Sequence, residues 1–276
     1  METAAAVFEC RARGVFRREG ITPLAGDIAE ISVQDEQQGT VEAVTARRNS
    51  LVRPPVANLD TLFIVASTAD PAPRLQVIDK LIAITEYNGI EPVIVINKTD
   101  LESGEPLAEC YRRSGFAVFT VSSEDPGSVT PMLPLFAGKL SAFTGNSGVG
   151  KTTLLNLICP GLALPTGEIS RKLGRGRHTT RTVSLYKLDN GGYIADTPGF
   201  SSLEIDTPIL KDTLPECFRD FTRVEGACRF SSCSHTVETG CRILKAVKDG
   251  RIQASRHRSY LAMYQEIKAR KVWEIT

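Results

Sequence analysis

Long apolar runs are the first thing this 276-residue sequence lacks: none approaches the roughly 18 residues that a membrane-spanning helix needs, so no span is expected. The stretch Met1–Cys10 lacks the basic-then-apolar order of a secretory signal, so no such leader is expected either. Cysteines are few and unevenly placed. Of seven, Cys217, Cys228, Cys233 and Cys241 fall within 25 residues and the others are scattered, which argues against a disulfide framework and for a reducing, cytoplasmic setting. Net charge is small as well, +1 in all. It collects at the C-terminal end, where residues 211–276 carry 13 basic against 8 acidic side chains; this suits a polyanionic partner, although a solvated helical face would look the same. What remains, 42% hydrophobic and 24% charged residues, describes a soluble globular chain long enough for more than one domain.

The stretch Gly145, Asn146, Ser147, Gly148, Val149, Gly150, Lys151, Thr152 fits G-x-x-x-x-G-K-[ST], with an apolar strand pattern over Leu140–Thr144 before it and a helical pattern from Thr153 after it. In that context the glycines let successive backbone N–H groups turn inward around phosphates, and the helix N-terminus adds a favourable dipole. Lys151 would neutralise the β- and γ-phosphates, and the Thr152 hydroxyl would bind Mg²⁺. The alternative is a glycine-rich strand-to-helix turn with a chance lysine, and the partner motifs argue against it.

Asn97, Lys98, Thr99 and Asp100 end the apolar strand pattern Pro92–Ile96, the place where ligands bind in open parallel sheets. The Asp100 carboxylate can accept from guanine N1–H and the adjacent 2-amino group, whereas adenine offers an acceptor at N1 and no amine there, so guanine is favoured. Asn97 can bridge to the phosphate loop, and the Lys98 stem can lie along the base. Ser122 and Ser123, after the next strand, could offer backbone donors to the guanine oxygen, although a plain strand-to-loop turn reads the same. Asp196-Thr197-Pro198-Gly199 follows the strand Tyr193–Ala195; its carboxylate can hold Mg²⁺ through water while the Gly199 N–H reaches the γ-phosphate. Between these lies Ser170–Arg181, with five basic residues, two glycines and no acid, expected to order on a nucleotide or a phosphate-rich partner. Thr179 or Thr180 is placed to complete the Mg²⁺ shell. N-K-T-D precedes the phosphate loop, the reverse of the Ras order, which a circular permutation of one sheet explains.

The expected organisation is three domains. Residues 1–57 alternate short β-rich pieces (Phe8–Ala12, Asp27–Val33, Thr40–Val44) with turn signals at Gly14, Gly20 and Gly26, which reads as a small oligonucleotide-binding type β-barrel. About four strands are legible where a complete barrel needs five. Arg11, Arg13 and Arg17, with Arg175 and Arg177 further on, are candidate RNA contacts, set against an ordinary solvated surface. Arg53-Pro54-Pro55 reads as a stiff linker. Residues 58–210 alternate unbroken apolar strands with helical patterns, an α/β P-loop domain with a parallel sheet covered on both faces. Residues 211–276 read as a mainly helical module with Cys228-x4-Cys233-x-His235-x5-Cys241, a donor set that can close a structural Zn²⁺ site; the other reading is free cysteines in a helical cap. Cys217 reads as core. A helix over Arg251–Lys271 carries Tyr260, Leu261, Tyr264 and Ile267 on one side, leaving Arg256, Arg258, Lys268 and Arg270 for a partner.

Together these motifs resemble the circularly permuted RsgA/YjeQ family of GTPases that act on the small ribosomal subunit. The resemblance rests on Cys10–Arg17, Gly26-Asp27, Asn58–Asp60, Asn97–Asp100, Gly145–Thr153, Gly176–Thr180, Asp196–Phe200 and the Cys/His cluster, nearly the whole chain. Two departures are the family's first barrel strand, which is not legible, and Thr239 where Pro is usual. The resemblance implies a late role in 30S maturation, contact with 16S rRNA, subunit-stimulated hydrolysis of GTP to GDP, Mg²⁺ with the nucleotide and one zinc per chain; a monomer is expected. Phe200 stands where Ras-type enzymes carry a water-orienting Gln, so slow intrinsic hydrolysis is expected. His178 is the candidate to orient or deprotonate water, the role proposed for it in the family, with an RNA-phosphate contact as its rival. Other function classes are a nucleotide-gated RNA-binding protein with little hydrolytic role and a P-loop NTPase acting on a small molecule.

Overall fold

The computed structural model describes residues 1–52, 54–160, 183–196 and 209–269, with Arg17 and Asp196 described by backbone alone. Its centre is a six-stranded sheet of β6 (Thr61–Ser67), β7 (Glu91–Asn97), β8 (Ala117–Thr120), β9 (Leu140–Thr144), β10 (Ser184–Lys187) and β11 (Tyr193–Asp196), in the order β10-β11-β9-β6-β7-β8. All neighbours are parallel except β10, which pairs antiparallel with β11 and which no periodicity in the sequence announced.

Alternation along the central strands assigns each face its own core. Leu62, Ile64 and Ala66 of β6, with Ile94 and Ile96 of β7, pack against helix α2 (Leu75–Tyr87) and helix α3 (Glu105–Arg113). Phe63, Val65, Val93 and Val95 point the other way, toward the 3-10 segment Pro126–Phe136 and helix α4 (Lys151–Ile158). There Phe63 stacks between Phe136 and Phe143, with ring centroids 4.7 and 4.8 Å away. Both faces are covered, as the unbroken apolar strands require.

The first face is shared with the C-terminal segments. Leu214, Phe218, Phe221, Ile243, Tyr260 and Met263 belong to the same buried cluster as Leu62 and Ile82. They are carried by the 3-10 turn Leu214–Cys217 and Phe218 after it, the short helix α5 (Arg219–Thr222), helix α6 (Arg242–Lys248) and helix α7 (Ala254–Ala269). Cys217 is buried among them, as expected. Arg256 overturns its expectation. Rather than facing a partner, it is 1% exposed and forms ion pairs with Asp79 of α2 at 2.5 Å and Asp220 of α5 at 3.1 Å. Burial works against its charge, but the two carboxylates outweigh that and hold its pKa above the usual arginine value. The guanidinium also lies 4.8 Å from the Phe218 ring centroid. Arg258 and Lys268 are exposed, and Arg270 lies outside the described residues.

The N-terminal part holds β1 (Glu9–Ala12), β2 (Ala29–Val33) and β3 (Gln38–Val44) as a sheet in the order β1-β3-β2. Two expectations change here. Gly14 opens a one-turn helix, α1 (Gly14–Arg18), instead of a turn, and Pro54-Pro55 is no linker. The two prolines sit in the connection between β4 (Ser50–Leu51) and β5 (Val56–Ala57), an antiparallel pair, and Pro54 is buried. An Ala25↔Val56 bridge joins that pair to the N-terminal segment, but among the described residues the pairings do not close a barrel. Side chains fasten this part to the central sheet: Asn49 pairs with both backbone groups of Leu59 at 2.9 Å, and Asp60 accepts from the Leu140 amide at 2.8 Å.

Removing one partner of a buried ion pair strands the other charge. Asp79→Ala leaves Arg256 with Asp220 alone and is expected to cost about 3 kcal/mol, with part recovered in Asp79→Ala/Asp220→Ala/Arg256→Met, which removes all three charges. Loss of the exposed Lys80–Glu266 bridge in Glu266→Ala should cost about 1 kcal/mol or less. Urea unfolding of the three variants checks this order, and an Asp79→Ala midpoint equal to that of the parent chain would contradict it.

Candidate functional site: a guanine-nucleotide cleft and a Cys3His cluster

Strand order brings the sequence motifs together. The phosphate loop leaves the C-terminal end of β9 and N-K-T-D leaves the same end of β7, with β6 between them. Asn97, 3% exposed, donates its side-chain amide to the Val149 carbonyl at 2.9 Å, so residues 52 positions apart share one cleft. The loop is held where only glycine fits. Gly145 (φ +138°) lies so close to β6 that a Cβ would sit 2.1 Å from the Val65 carbonyl oxygen. At Gly150 (φ +90°) it would sit 2.3 Å from the Asn97 amide nitrogen. Lys151 begins α4 and donates to the Gly145 and Asn146 carbonyls, both at 2.7 Å. Burial pulls its ammonium pKa down to about 8. Thr152 and Thr153 are half-buried in the first turn, and Ser147 and Gly148 are exposed at the tip.

On the guanine-reading side, Thr99 donates its hydroxyl to the Val121 carbonyl at 3.0 Å, tying N-K-T-D to the end of β8. Asp100 is exposed, and its carboxylate accepts from the Ser122 hydroxyl at 2.5 Å. The Ser122 amide donates to the Ser128 hydroxyl at 3.1 Å. Ser123 is exposed beside it. Lys98 takes a left-handed conformation (φ +63°) and donates its ammonium to the Asp70 carbonyl. Neither the Ser122 hydroxyl nor the Asp70 carbonyl could be assigned from spacing, because each partner comes from another strand-end loop.

His178, Thr179, Thr180, Arg175, Arg177 and Gly199 lie outside the described residues, as does the Asp196 side chain; the Asp196 backbone ends β11, next to β9. Of the expected RNA contacts in the N-terminal part, Arg11 is exposed, the Arg17 side chain is not described, and Arg13 pairs with Glu42 at 2.5 Å. Arg47 and Arg48 are likewise paired, with Asp27 at 2.7 Å and Asp60 at 2.8 Å.

The second cluster is complete. The ligand atoms of Cys228, Cys233, His235 and Cys241 all lie within 4.8 Å of one another. Cys228 Sγ is 4.0 Å from Cys241 Sγ and 3.7 Å from His235 Nδ1, which is 3.3 Å from Cys241 Sγ. A tetrahedron of thiolates and one imidazole around a divalent ion has edges of about 3.5–3.8 Å, so the residues fit such a site. The Arg242 amide donates to Cys228 Sγ and the Leu244 amide to Cys241 Sγ, which ties both sulfurs to the start of α6. From α7, His257 contacts the His235 carbonyl at 2.8 Å and Tyr260 donates to that of Ser234 at 2.7 Å, fixing the loop.

A sequence model of the family described as RsgA GTPase matches residues 44–206, and one for the RsgA N-terminal domain matches residues 1–41. The chain belongs to the RsgA GTPase family. A protein named small ribosomal subunit biogenesis GTPase RsgA, from Caldanaerobacter subterraneus subsp. tengcongensis, is 44% identical over 98% of this chain and 92% of its own. One of the same name from Streptococcus pyogenes serotype M3 is 42% identical over the same shares. Among solved structures, YjeQ from Thermotoga maritima superposes with a TM-score of 0.82 at 35% identity, over 95% of this chain and 90% of that one. YloQ, described as a circularly permuted GTPase, gives 0.79 at 36% identity, over 96% and 87%. The inverted order of N-K-T-D and phosphate loop is thus the family's circular permutation, and the chain is a GTP hydrolase of that family, a chemistry that implies Mg²⁺ with the nucleotide. Among the described residues no helix is long and apolar enough to cross a membrane.

Lys151 generates a pH prediction. Its ammonium is the form that pairs with phosphate, and its pKa of about 8 means that the free chain has lost much of that charge by pH 9. Guanine-nucleotide binding above pH 8 must then take up a proton, and affinity should fall about tenfold between pH 7 and pH 9. Titration calorimetry at pH 8.5 in buffers of different ionisation enthalpy reads the uptake directly. Zero uptake would mean that Lys151 stays charged without nucleotide.

Proposed function

We propose that this chain hydrolyses GTP on the 30S ribosomal subunit as a late-stage maturation factor in the cytoplasm, with turnover stimulated by the subunit. The observation that carries the reading is the Asn97–Val149 bond, which sets a guanine-selective motif and a phosphate loop around one cleft. The names of the relatives supply the ribosomal context, since each is a small ribosomal subunit biogenesis GTPase.

In this reading Asp100, oriented by Ser122, accepts from guanine, and Lys98 and Thr99 shape the base pocket. The backbone of Gly145–Gly150 and the Lys151 ammonium neutralise the phosphates. Thr152, Asp196 and one of Thr179 and Thr180 hold Mg²⁺, the Gly199 amide meets the γ-phosphate, and His178 orients the attacking water. Phe200 cannot hydrogen-bond water, so the chain alone is a slow enzyme. The N-terminal part, through Arg11, Arg13 and Arg17, and the basic C-terminal end, with Arg175 and Arg177 between them, contact 16S rRNA. Residues 209–269 follow the Asp196–Gly199 motif in the chain, which gives nucleotide state a route to the grip on the subunit. The chain acts as a monomer.

The decisive experiment is co-sedimentation with 30S subunits combined with phosphate release. GTP-loaded protein is expected to sediment with the subunit more strongly than GDP-loaded protein, and subunits should accelerate hydrolysis by orders of magnitude. His178→Ala should keep GTP affinity and lose the acceleration. Equal sedimentation in both nucleotide states would end the switch reading, and unchanged stimulation in His178→Ala would end the role of the imidazole.

The Cys3His cluster is proposed to hold one structural zinc, because three thiolates and an imidazole with no open position suit that ion. Elemental analysis is expected to find about one zinc per chain. Its removal by a strong chelator should lower Tm by several degrees while residual protein still binds GDP. Full thermal stability after complete metal removal would refute the structural assignment.

A further inference from the structure

Strand order carries one consequence past the known motifs. Because β6 lies between β9 and β7, the residues leaving its C-terminal end must run between the phosphate loop and N-K-T-D. Those residues are Ser67–Pro71, and no motif includes them. Ser67 is fully buried and donates its hydroxyl to the Pro71 carbonyl at 2.6 Å, closing the segment on itself. Toward the phosphate loop, Pro71 Cδ lies 3.5 Å from where a Gly148 Cβ would stand. Toward N-K-T-D there are three bonds to the backbone and side chain of consecutive residues. The Thr68 amide donates to the Asn97 carbonyl at 3.0 Å, the Thr68 hydroxyl donates to the Lys98 carbonyl at 2.6 Å, and the Lys98 ammonium donates to the Asp70 carbonyl.

Lys98 is held at φ +63°, a conformation that residues with a Cβ seldom adopt without support. The Thr68 hydroxyl bonds the carbonyl of that very residue from a position 8% exposed. We infer that Thr68 and the Asp70 carbonyl form the third wall of the guanine-nucleotide cleft, with Thr68 a positioning residue that fixes the Lys98 backbone so that the lysine stem lies along the purine. This rests on the guanine-nucleotide reading of the cleft. Thr68 acts on the base plane through Lys98, whereas the 2-amino group is read by Asp100. Loss of Thr68 should therefore weaken all purine nucleotides alike without changing the preference among them.

The test is fluorescence titration of the full chain with GDP and IDP, the latter lacking the exocyclic amine. Thr68→Val keeps the branched shape but removes the donor and leaves the Lys98 carbonyl without that bond. It is expected to weaken both nucleotides about tenfold, to leave their ratio unchanged, and to shift the nucleotide-free Tm by no more than a few degrees. Thr68→Ser, which keeps the hydroxyl, should restore affinity. Should Thr68→Val fold poorly, Ser67→Ala frees the Pro71 carbonyl one step away and is expected to weaken both nucleotides severalfold. Parent-like affinity in Thr68→Val, or in Ser67→Ala where that variant is the one measured, would overturn the inference while leaving the cleft reading intact. So would a loss in Thr68→Ser equal to that in Thr68→Val. A parent chain that bound no guanine nucleotide would remove both.

Discussion

Asn97 reaches from the end of β7 to the Val149 carbonyl over Gly150, whose missing side chain makes the approach possible. A methyl group there would fall on the amide nitrogen, so the glycine is required by the bond as much as by the phosphate-cradling turn. Everything else in the cleft is set by that closure. It fixes how far the base-reading motif stands from the phosphate loop, and it does so through the parallel register of β6 with β7 and with β9 rather than through chain order. A sheet assembled from such pairings is indifferent to where the polypeptide is cut. For that reason N-K-T-D can precede the phosphate loop in this family without changing the site.

The permuted connectivity also decides what the site is attached to. The N-terminal part enters at the start of β6, where Asn49 and Asp60 add side-chain bonds to Leu59 and Leu140. The C-terminal segments enter after β11 and settle on α2, burying Phe218, Tyr260 and Met263 in the sheet's own core. Helix α2 therefore has neighbours on two sides. Its buried Asp79 is paired from α7, and the segment that precedes it, Ser67–Pro71, touches both nucleotide-reading loops. Helix α7 is paired with α2 through Arg256 and Glu266 and braces the Cys3His cluster through His257 and Tyr260.

Much of this was legible in the sequence, for a definite reason. Strands β6, β7 and β9 carry unbroken apolar runs because both faces are covered, and motifs at strand ends inherit their position from the strands. The spacing of Cys228, Cys233, His235 and Cys241 encodes a local site that needs no distant partner. What was not legible depends on distant partners. Arg256 looks like part of a basic helical face until Asp79 and Asp220, 177 and 36 residues away, are seen to bury it. The single sign was Asp79 itself, an acid set among Ile78, Leu81 and Ile82 on an apolar helix face. Pro54-Pro55 read as a linker because prolines are stiff in either setting, and only the pairing of β4 with β5 shows them in a tight connection.

The polar groups that would read a nucleotide are each engaged by the protein: Lys151 by the Gly145 and Asn146 carbonyls, Lys98 by that of Asp70, and Asp100 by the Ser122 hydroxyl. Exchanging one hydrogen bond for another yields little net free energy, about 0.5–1.5 kcal/mol each. Affinity must then come chiefly from charge, where the Lys151 ammonium meets phosphate, and from burial of the base. Discrimination has another source. A base without the guanine donors would take Asp100 out of water with nothing in return, and the penalty for a stranded carboxylate exceeds the gain from a satisfied one. In the proposed site the positive groups would determine how tightly a nucleotide is held, and one carboxylate, bonded by a serine from the neighbouring strand end, would determine which.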